Sequence, residues 1–493
     1  MTGIAARLPR FQASHLALMS AAALLFMFCE GKELAMNDLA IYLAQGREME
    51  AIGGLADVDR YTHTVGGMKF LNGTWGSQVV FWALWKAGSV DALQMLLASA
   101  VCSTILIVAW GAKKASGNPN ALGLGGLLCA WLVVQNLGLR PQLFSLPMFA
   151  AYAAIALSLR PTWKTMLASA AIVAVWTNLH GSFILAPILS ACIAVGVFWE
   201  TRSIQAARGH AITSAIAFAA ALVNPYGFAI YQYVAENSRS PAGRGLTEWA
   251  PTSLSEPAGI RLAVAAAIVT VVFALHRRLP ARRDIPALLA FTFLALTAFR
   301  HVVWLGMLLP IMATRVFPPE TTAKESGATP ADAASPSGVN PFFGLGAIVF
   351  WLAAVLYQMP LLRPDARTGD ELIAARFTPS TPVRIAAWAA DHGVTGKLFN
   401  SMEWGGYFAY RLPPEAKLFV DVRIWIYPQA IWDDMLRISE AEHGWEEILD
   451  RHQVDYAILD RRFHHSLLPY MTASDRWEQI YSDELGLIFK RRR

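Results

Sequence analysis

Trp75-Gly-Ser-Gln-Val-Val-Phe81-Trp82-Ala-Leu-Trp85-Lys86 is an apolar, aromatic-rich stretch of about a dozen residues. That is too short to cross a hydrocarbon core of roughly 30 Å unaided, and its rings suit the headgroup zone. How this stretch is read decides the topology. Counted as a span, it makes the next apolar run, Asp91 to Trp110, deliver Lys113 and Lys114 to the outside, against the cytoplasmic bias of Lys and Arg. Read as an amphipathic helix lying in the interface, it removes the conflict.

The remaining apolar segments then alternate regularly. With Arg7 and Arg10 inside, Lys113/Lys114, Arg160/Lys164, Arg202/Arg208 and Arg277/Arg278/Arg282/Arg283 all fall inside as well. The outside receives a long first loop, about residues 30–90, and the loops 137–141, 178–181, 226–257 and 299–301. Of 493 residues, 55% are hydrophobic and 16% charged, and the mean hydropathy is +0.38, too apolar for a soluble chain of this length. The expected class is a polytopic α-helical membrane protein with about eleven transmembrane helices. Its pI near 9.0 reflects basic anchors in loops and implies no nucleic-acid partner. The first segment, roughly His15 to Cys29, follows two arginines as a signal peptide would, but without a small-residue cleavage site it is expected to stay as an anchor. All four cysteines lie in apolar segments without zinc spacing, and there is no GxGxxG or P-loop.

Residues 1–316 are thus expected to form a transmembrane module. A Pro/Ala/Ser/Thr-rich segment, 317–341, reads as a disordered cytoplasmic linker, and 342–362 as the last span. That span would export residues 363–493. In this tail the short β-type runs Lys397–Phe399, Lys417–Val420, Tyr456–Leu459 and Leu487–Phe489 alternate with helical stretches such as Thr381–His392 and Gly444–His452. The pattern predicts a small external α/β domain.

The chemistry-bearing residues gather on the outside. The first loop carries Asn37-Asp38 and, some twenty residues later, Asp57-Val-Asp59-Arg-Tyr-Thr-His63. Carboxylates there can act as a general base toward a hydroxyl or hold a divalent cation, and Asn37 or Asp38 could instead simply cap a helix over Leu39–Gln45. Other external loops add Arg140, His180, Glu248, Arg300 and His301. Cations at external helix ends run against the topogenic bias, and arginine's planar fork suits a phosphate. Taken singly, Arg140 could snorkel to headgroups, His180 could cap a helix and Arg300 could pair with Glu248. Together they form a candidate site for an anionic, lipid-linked substrate. In the tail, Gly405-Gly406 reads as a tight turn and Asp421/Arg423 as a structural pair.

A membrane helix, a long external loop with an early acid (Asp38), a later Asp59-x-Tyr61-x-x-Thr64 element and an interfacial aromatic helix resemble the GT-C superfamily of membrane glycosyltransferases. That group includes protein O-mannosyltransferases, aminoarabinose transferases and oligosaccharyltransferases. The resemblance covers roughly residues 15–316, and many members carry an accessory external domain. It implies a polyprenyl-phosphate-linked sugar donor and transfer with inversion to a glycan, lipid or protein acceptor at the external face of a bacterial-type inner membrane. Asp38 would take the place of the early loop acid and Asp59 that of the second. Many members carry Asp-Glu or Glu-x-Asp near the first position, where this chain has Asn37-Asp38, so a Mg or Mn ion on Asp38 and Asp59 stays open beside a metal-free site. Arg140, His180, Arg300, His301, His63 and Glu248 are assigned to substrate binding from topology alone. Alternatives are a surface-polysaccharide polymerase or ligase, a non-catalytic assembly subunit, and a transporter, the last disfavoured by sparse mid-helix charge and no inverted repeat.

Overall fold

A computed structural model of the chain describes residues 11–239, 247–319, 338–359 and 367–492. Most of the linker expected at 317–341, and the ends of the segments expected at 342–362 and 363–493, lie outside the described residues. The membrane module is helical: α1 (Ala13–Gly31), α2 (Met36–Ile52), α3 (Trp75–Ser116), α4 (Ala121–Val133), α5 (Gln142–Ser158), α6 (Trp163–Trp176), α7 (Leu185–Thr201), α8 (Ile204–Ala220), α9 (Ala229–Arg239), α10 (Pro257–His276), α11 (Ile285–Thr297), α12 (Val302–Ala313) and α13 (Pro341–Gln358). Among the described residues, four helical stretches are long and apolar enough to cross a membrane, in α1, in α3, over Gly181–Thr201 and in α10, with shorter apolar helices at α4, α5, α6 and α13. This is a multi-pass membrane protein. Its helices approach through small residues, as expected where lipid supplies no hydrophobic drive. A Cβ on Gly126 of α4 would stand 2.3 Å from Leu18 Cδ1 of α1. Large apolar side chains point outward, Leu275, Leu289 and Phe293 among them, as lipid-facing surface requires.

Helix α3 is broken in the middle. Gly88 (φ −157°, ψ 20°) and Ser89 (φ 53°, ψ −137°) leave helical geometry, a kink at a Gly–Ser pair. The break separates Trp75–Lys86 from the Asp91–Trp110 segment. Before the break, Gln78 and Trp82 pack so tightly on α2 that a Cβ on Gly46 would lie 2.5 Å from Trp82 Cβ.

The C-terminal unit contains α14 (Gly369–Arg376), α15 (Val383–Asp391), α16 (Met402–Arg411), α17 (Gln429–Ser439), α18 (Trp445–Arg451) and α19 (Leu468–Ala473). Its sheet has the order β4 (Ala416–Lys417), β3 (Gly396–Asn400), β5 (Tyr456–Asp460), β7 (Gly486–Arg491), β6 (Trp477–Ser482), counting the two-residue strands Phe11–Gln12 and Gly338–Val339 as β1 and β2. Strands β4, β3 and β5 run parallel, and β7 and β6 are antiparallel additions. Three of the four β-type runs fall within β3, β5 and β7, whereas Lys417–Val420 shares only Lys417 with β4. Strand β6 escaped the sequence reading because a register shift at Gln479/Tyr481 breaks the two-residue period.

The first loop and this domain are built into each other. Thr62 bridges Leu418 in parallel and Leu34 bridges Phe377, which ties the loop to the sheet edge and to the segment after α14. Gly405-Gly406 is not a turn, as the sequence reading had it, but the middle of α16. A Cβ on Gly406 would meet Asn37 O at 2.2 Å, and one on Gly405 would meet Val420 O at 2.3 Å. The two glycines let α16 sit flush between α2 and the Val420–Asp421 strand end.

Candidate active site

Helix α2 starts one residue after its N-cap, Ala35, so Asp38 lies in the first turn and Asn37 and Asp38 do not cap it. An acid there is favoured by the helix dipole, yet its side chain serves another purpose. Asp38 Oδ2 accepts from Arg140 Nε at 2.5 Å. Arg140 Nη1 donates to Glu248 Oε2 at 2.8 Å, and Glu248 Oε1 accepts from Arg300 Nη1 at 3.0 Å. Four segments distant in sequence thus meet in one chain of alternating charge, Asp38–Arg140–Glu248–Arg300. The Arg300 guanidinium also lies 4.5 Å over the Trp249 ring, and Nη2 reaches Gln142 Oε1 at 3.4 Å.

Burial pushes the Asp38 carboxyl above its ordinary range, and the neighbouring Arg140 only partly offsets this. The Asp38 carboxylate holds Arg140 firmly charged, against the cost of its burial. Beside the network lies a cavity of about 170 Å³. Asp38, Arg140, Lys32 and Thr378 line it, with the backbone of Leu137 to Leu139. Lys32 was not singled out from sequence. It sits at the C-cap of α1, donates from Nζ to Leu137 O at 2.5 Å, and burial draws its pKa below the usual lysine value. Its sequence signal was a lysine at an external helix end, the anomaly that drew attention to Arg140.

The histidines take different places. His301 packs edge-on against Trp249, with ring centroids 5.9 Å apart, so it borders the network without joining it. His180 caps the short 3-10 turn Gly181–Ile184: its Nδ1 accepts from Ser182 N at 3.2 Å. A ring nitrogen that accepts from an N–H carries no proton, so the imidazole is neutral and not the phosphate-binding cation the sequence reading had in mind. Burial, reinforced by Arg300, pushes its pKa down to about 3. His63 is removed from the site altogether. Its Nε2 lies 3.2 Å from Leu398 O, its ring packs edge-on against Phe419, and burial lowers its pKa to about 4.

Asp59 also requires correction. It is buried against the C-terminal domain, where Oδ1 accepts from Arg423 Nη2 at 2.5 Å and Oδ2 accepts from Thr62 N and Thr62 Oγ1 at 3.2 and 2.6 Å. Asp421 holds the same guanidinium through Nε and the same Nη2, with Oδ1 3.0 Å from Nε and Oδ2 2.5 Å from Nη2. The paired side chains are at most 1% exposed, so Asp59 joins loop to domain and offers no open carboxylate to a substrate. The Asp421/Arg423 pair expected in the tail is present, with Asp59 as its third member. Asp38 and Asp59 therefore do not form a shared cation site, since each is committed to a different arginine. Among the described residues no group of three or more His, Cys, Asp or Glu side chains is arranged to hold a metal, and no step is assigned to one.

Comparison with solved structures matches this architecture. The archaeal oligosaccharyltransferase AglB from Archaeoglobus fulgidus, in complex with an inhibitory peptide and a dolichol-phosphate, superposes with TM-score 0.56 at 12% identity, covering 97% of this chain and 74% of that one. ArnT from Cupriavidus metallidurans bound to undecaprenyl phosphate gives TM-score 0.54 at 16% identity, covering 96% and 97%. Its apo state gives 0.53 at 15% identity. No family model matches the chain, and no curated protein matches it. The chain shares the fold of these two solved structures.

Proposed function

We propose that the chain is a membrane glycosyltransferase that takes a sugar from a polyprenyl-phosphate-linked donor and passes it, with inversion, to a glycan, lipid or protein acceptor on the external face. The observation that carries this reading is the convergence of Asp38, Arg140, Glu248 and Arg300 beside a cavity that also presents Lys32. The dolichol-phosphate and undecaprenyl phosphate in the two similar structures support the choice of donor.

Without substrate the network is balanced, two carboxylates against two guanidiniums. An arriving phosphate competes with Glu248 for Arg140 and Arg300, and Lys32 adds a third cation from across the cavity. Asp38, whose carboxyl burial has made more basic, takes the proton of an acceptor hydroxyl. The acceptor oxygen bonds to the anomeric carbon as its bond to the phosphate oxygen breaks. The electron pair leaves with that oxygen, whose charge the cations stabilise.

The topology that goes with this function has eleven crossings, in α1, the second part of α3, α4 to α8, and α10 to α13, with Trp75–Lys86 in the interface. Two contacts support it. β1, just before α1, pairs with β2, just before α13, so the entries of these two helices share one side. The loop between α1 and α3 is bonded into the C-terminal domain, so these two share a side, the external one in this reading. Reporter fusions after Lys114, Arg283 and Arg493 should read inside, inside and outside; an external Lys114 would contradict the scheme.

The functional test uses conservative substitutions. Mass spectrometry of cell-surface glycans with and without the protein identifies the sugar, and its lipid-linked form then serves as donor. Arg140→Lys and Arg300→Lys keep the charge and lose the planar fork, so at saturating acceptor the KM for donor should rise about tenfold or more. Headgroup-snorkelling arginines would tolerate lysine. Wild-type donor KM in both variants would contradict the phosphate role.

A further inference from the structure

The ends of three helices meet at His180 in a polar knot. Ser145 belongs to α5, Trp176 closes α6, and Ser182 stands in the 3-10 turn before α7. Trp176 Nε1 donates to Ser145 Oγ at 2.8 Å. Ser145 Oγ lies 3.0 Å, and Ser182 Oγ 2.7 Å, from His180 Nδ1. The backbone N–H of Ser182 donates to the same nitrogen at 3.2 Å. Because an amide N–H can only donate, Nδ1 is the acceptor and the single ring proton sits on Nε2. Nε2 has no hydrogen-bond partner among the described residues, and His180 keeps part of its surface exposed. Ser145 stands one turn after Gln142 on α5, and Gln142 Oε1 lies 3.4 Å from Arg300 Nη2, which sets the knot beside the site network.

We infer that His180 is a neutral hydrogen-bond donor of the site, its Nε2–H offered to a phosphate oxygen beside Arg300, and that Ser145, Trp176 and Ser182 are positioning residues that fix this tautomer. The inference rests on the reading of the site as one for a lipid-linked phosphate. It assigns the histidine a different part from a cation: a short, uncharged donor set at a fixed angle, which selects oxygen geometry without adding charge. The knot has a clear chemical economy. Trp176 can only donate, so Ser145 Oγ accepts from it, and the Ser145 and Ser182 hydroxyls, 2.8 Å apart, share their hydrogens between each other and Nδ1.

Glutamine and asparagine separate the two ring nitrogens. A glutamine amide places an N–H near the Nε2 position, whereas asparagine reaches only as far as Nδ1 and can serve the turn alone. The probe is polyprenyl phosphate, with polyprenol as control, binding to the full-length protein in lipid nanodiscs. His180→Asn should fold with wild-type thermal stability and bind polyprenyl phosphate about tenfold or more weakly, the loss of one hydrogen bond to a charged group. His180→Ala should bind as weakly, His180→Gln should stay within about threefold of wild type, and polyprenol binding should not change. Wild-type affinity in a folded His180→Asn protein overturns the inference, as does a His180→Gln variant that is folded yet as weak as His180→Asn. A wild-type protein that does not distinguish polyprenyl phosphate from polyprenol overturns both the inference and the donor reading. Binding that depends on His180 in a protein that transfers no sugar overturns the enzymatic reading alone.

Discussion

Asp38→Asn should lower the rate of sugar transfer by a factor of about 10² or more, with the protein present in the membrane at its normal level. Asparagine is nearly the same size and keeps an oxygen for Arg140 Nε, which bonds Asp38 Oδ2 at 2.5 Å. Arg140 also retains Glu248, so the substitution leaves no guanidinium without a carboxylate. What disappears is the proton acceptor. The pH profile checks the assignment independently. Burial holds the Asp38 carboxyl above its ordinary range, so transfer should fall as pH drops through that raised value and the carboxylate is protonated. The residual rate of Asp38→Asn should lack this acidic limb. A variant with full activity, or with the limb intact, would place the base elsewhere.

Asp59→Ala should act on folding. It removes one of two carboxylates from a guanidinium at most 1% exposed and takes away the acceptor for Thr62 N and Oγ1. Breaking a buried ion pair from one side costs about 3–5 kcal/mol, because the remaining charge stays buried without compensation. Asp421 still faces Arg423, which puts the expectation at the lower end of that range. The first loop should loosen from the C-terminal domain, seen as a drop in membrane abundance and in thermal unfolding temperature. The milder Asp59→Asn, where it accumulates, should retain wild-type kcat. An Asp59→Ala protein of unchanged stability and lost kcat would restore Asp59 to the chemistry.

The contrast between these two acids marks what the sequence reveals. Both sit in the same stretch between the first two apolar segments, and neither carries a local mark of a catalytic or a structural part. Their roles are set by arginines more than a hundred and more than three hundred positions away, Arg140 and Arg423. The membrane helices were legible because lipid imposes long apolar runs and a one-sided charge bias. The Arg140, Glu248 and Arg300 cluster was legible for the complementary reason, that charge at external helix ends violates that bias and needs a cause. The break in α3 was visible as too short an apolar run beside Gly88. Burial of a loop acid against a separate domain leaves no such periodic trace, so Asp59 was drawn into the site by the family resemblance and His63 by its place in the first loop. Lys32 was missed because a lone lysine just after a helix looks like an anchor, and its cavity exists only once 137–140 folds over it. The neutral state of His180 depends on a backbone N–H that no side-chain motif records.

The most direct measurement compares surface glycans, by mass spectrometry, from cells carrying the wild-type protein, Asp38→Asn at equal membrane abundance, or no protein. The account predicts that one glycan, glycolipid or glycoprotein loses a sugar when the protein is absent, regains it with the wild type, and stays without it with Asp38→Asn. Identical glycans in all three, or equal restoration by Asp38→Asn, would contradict it.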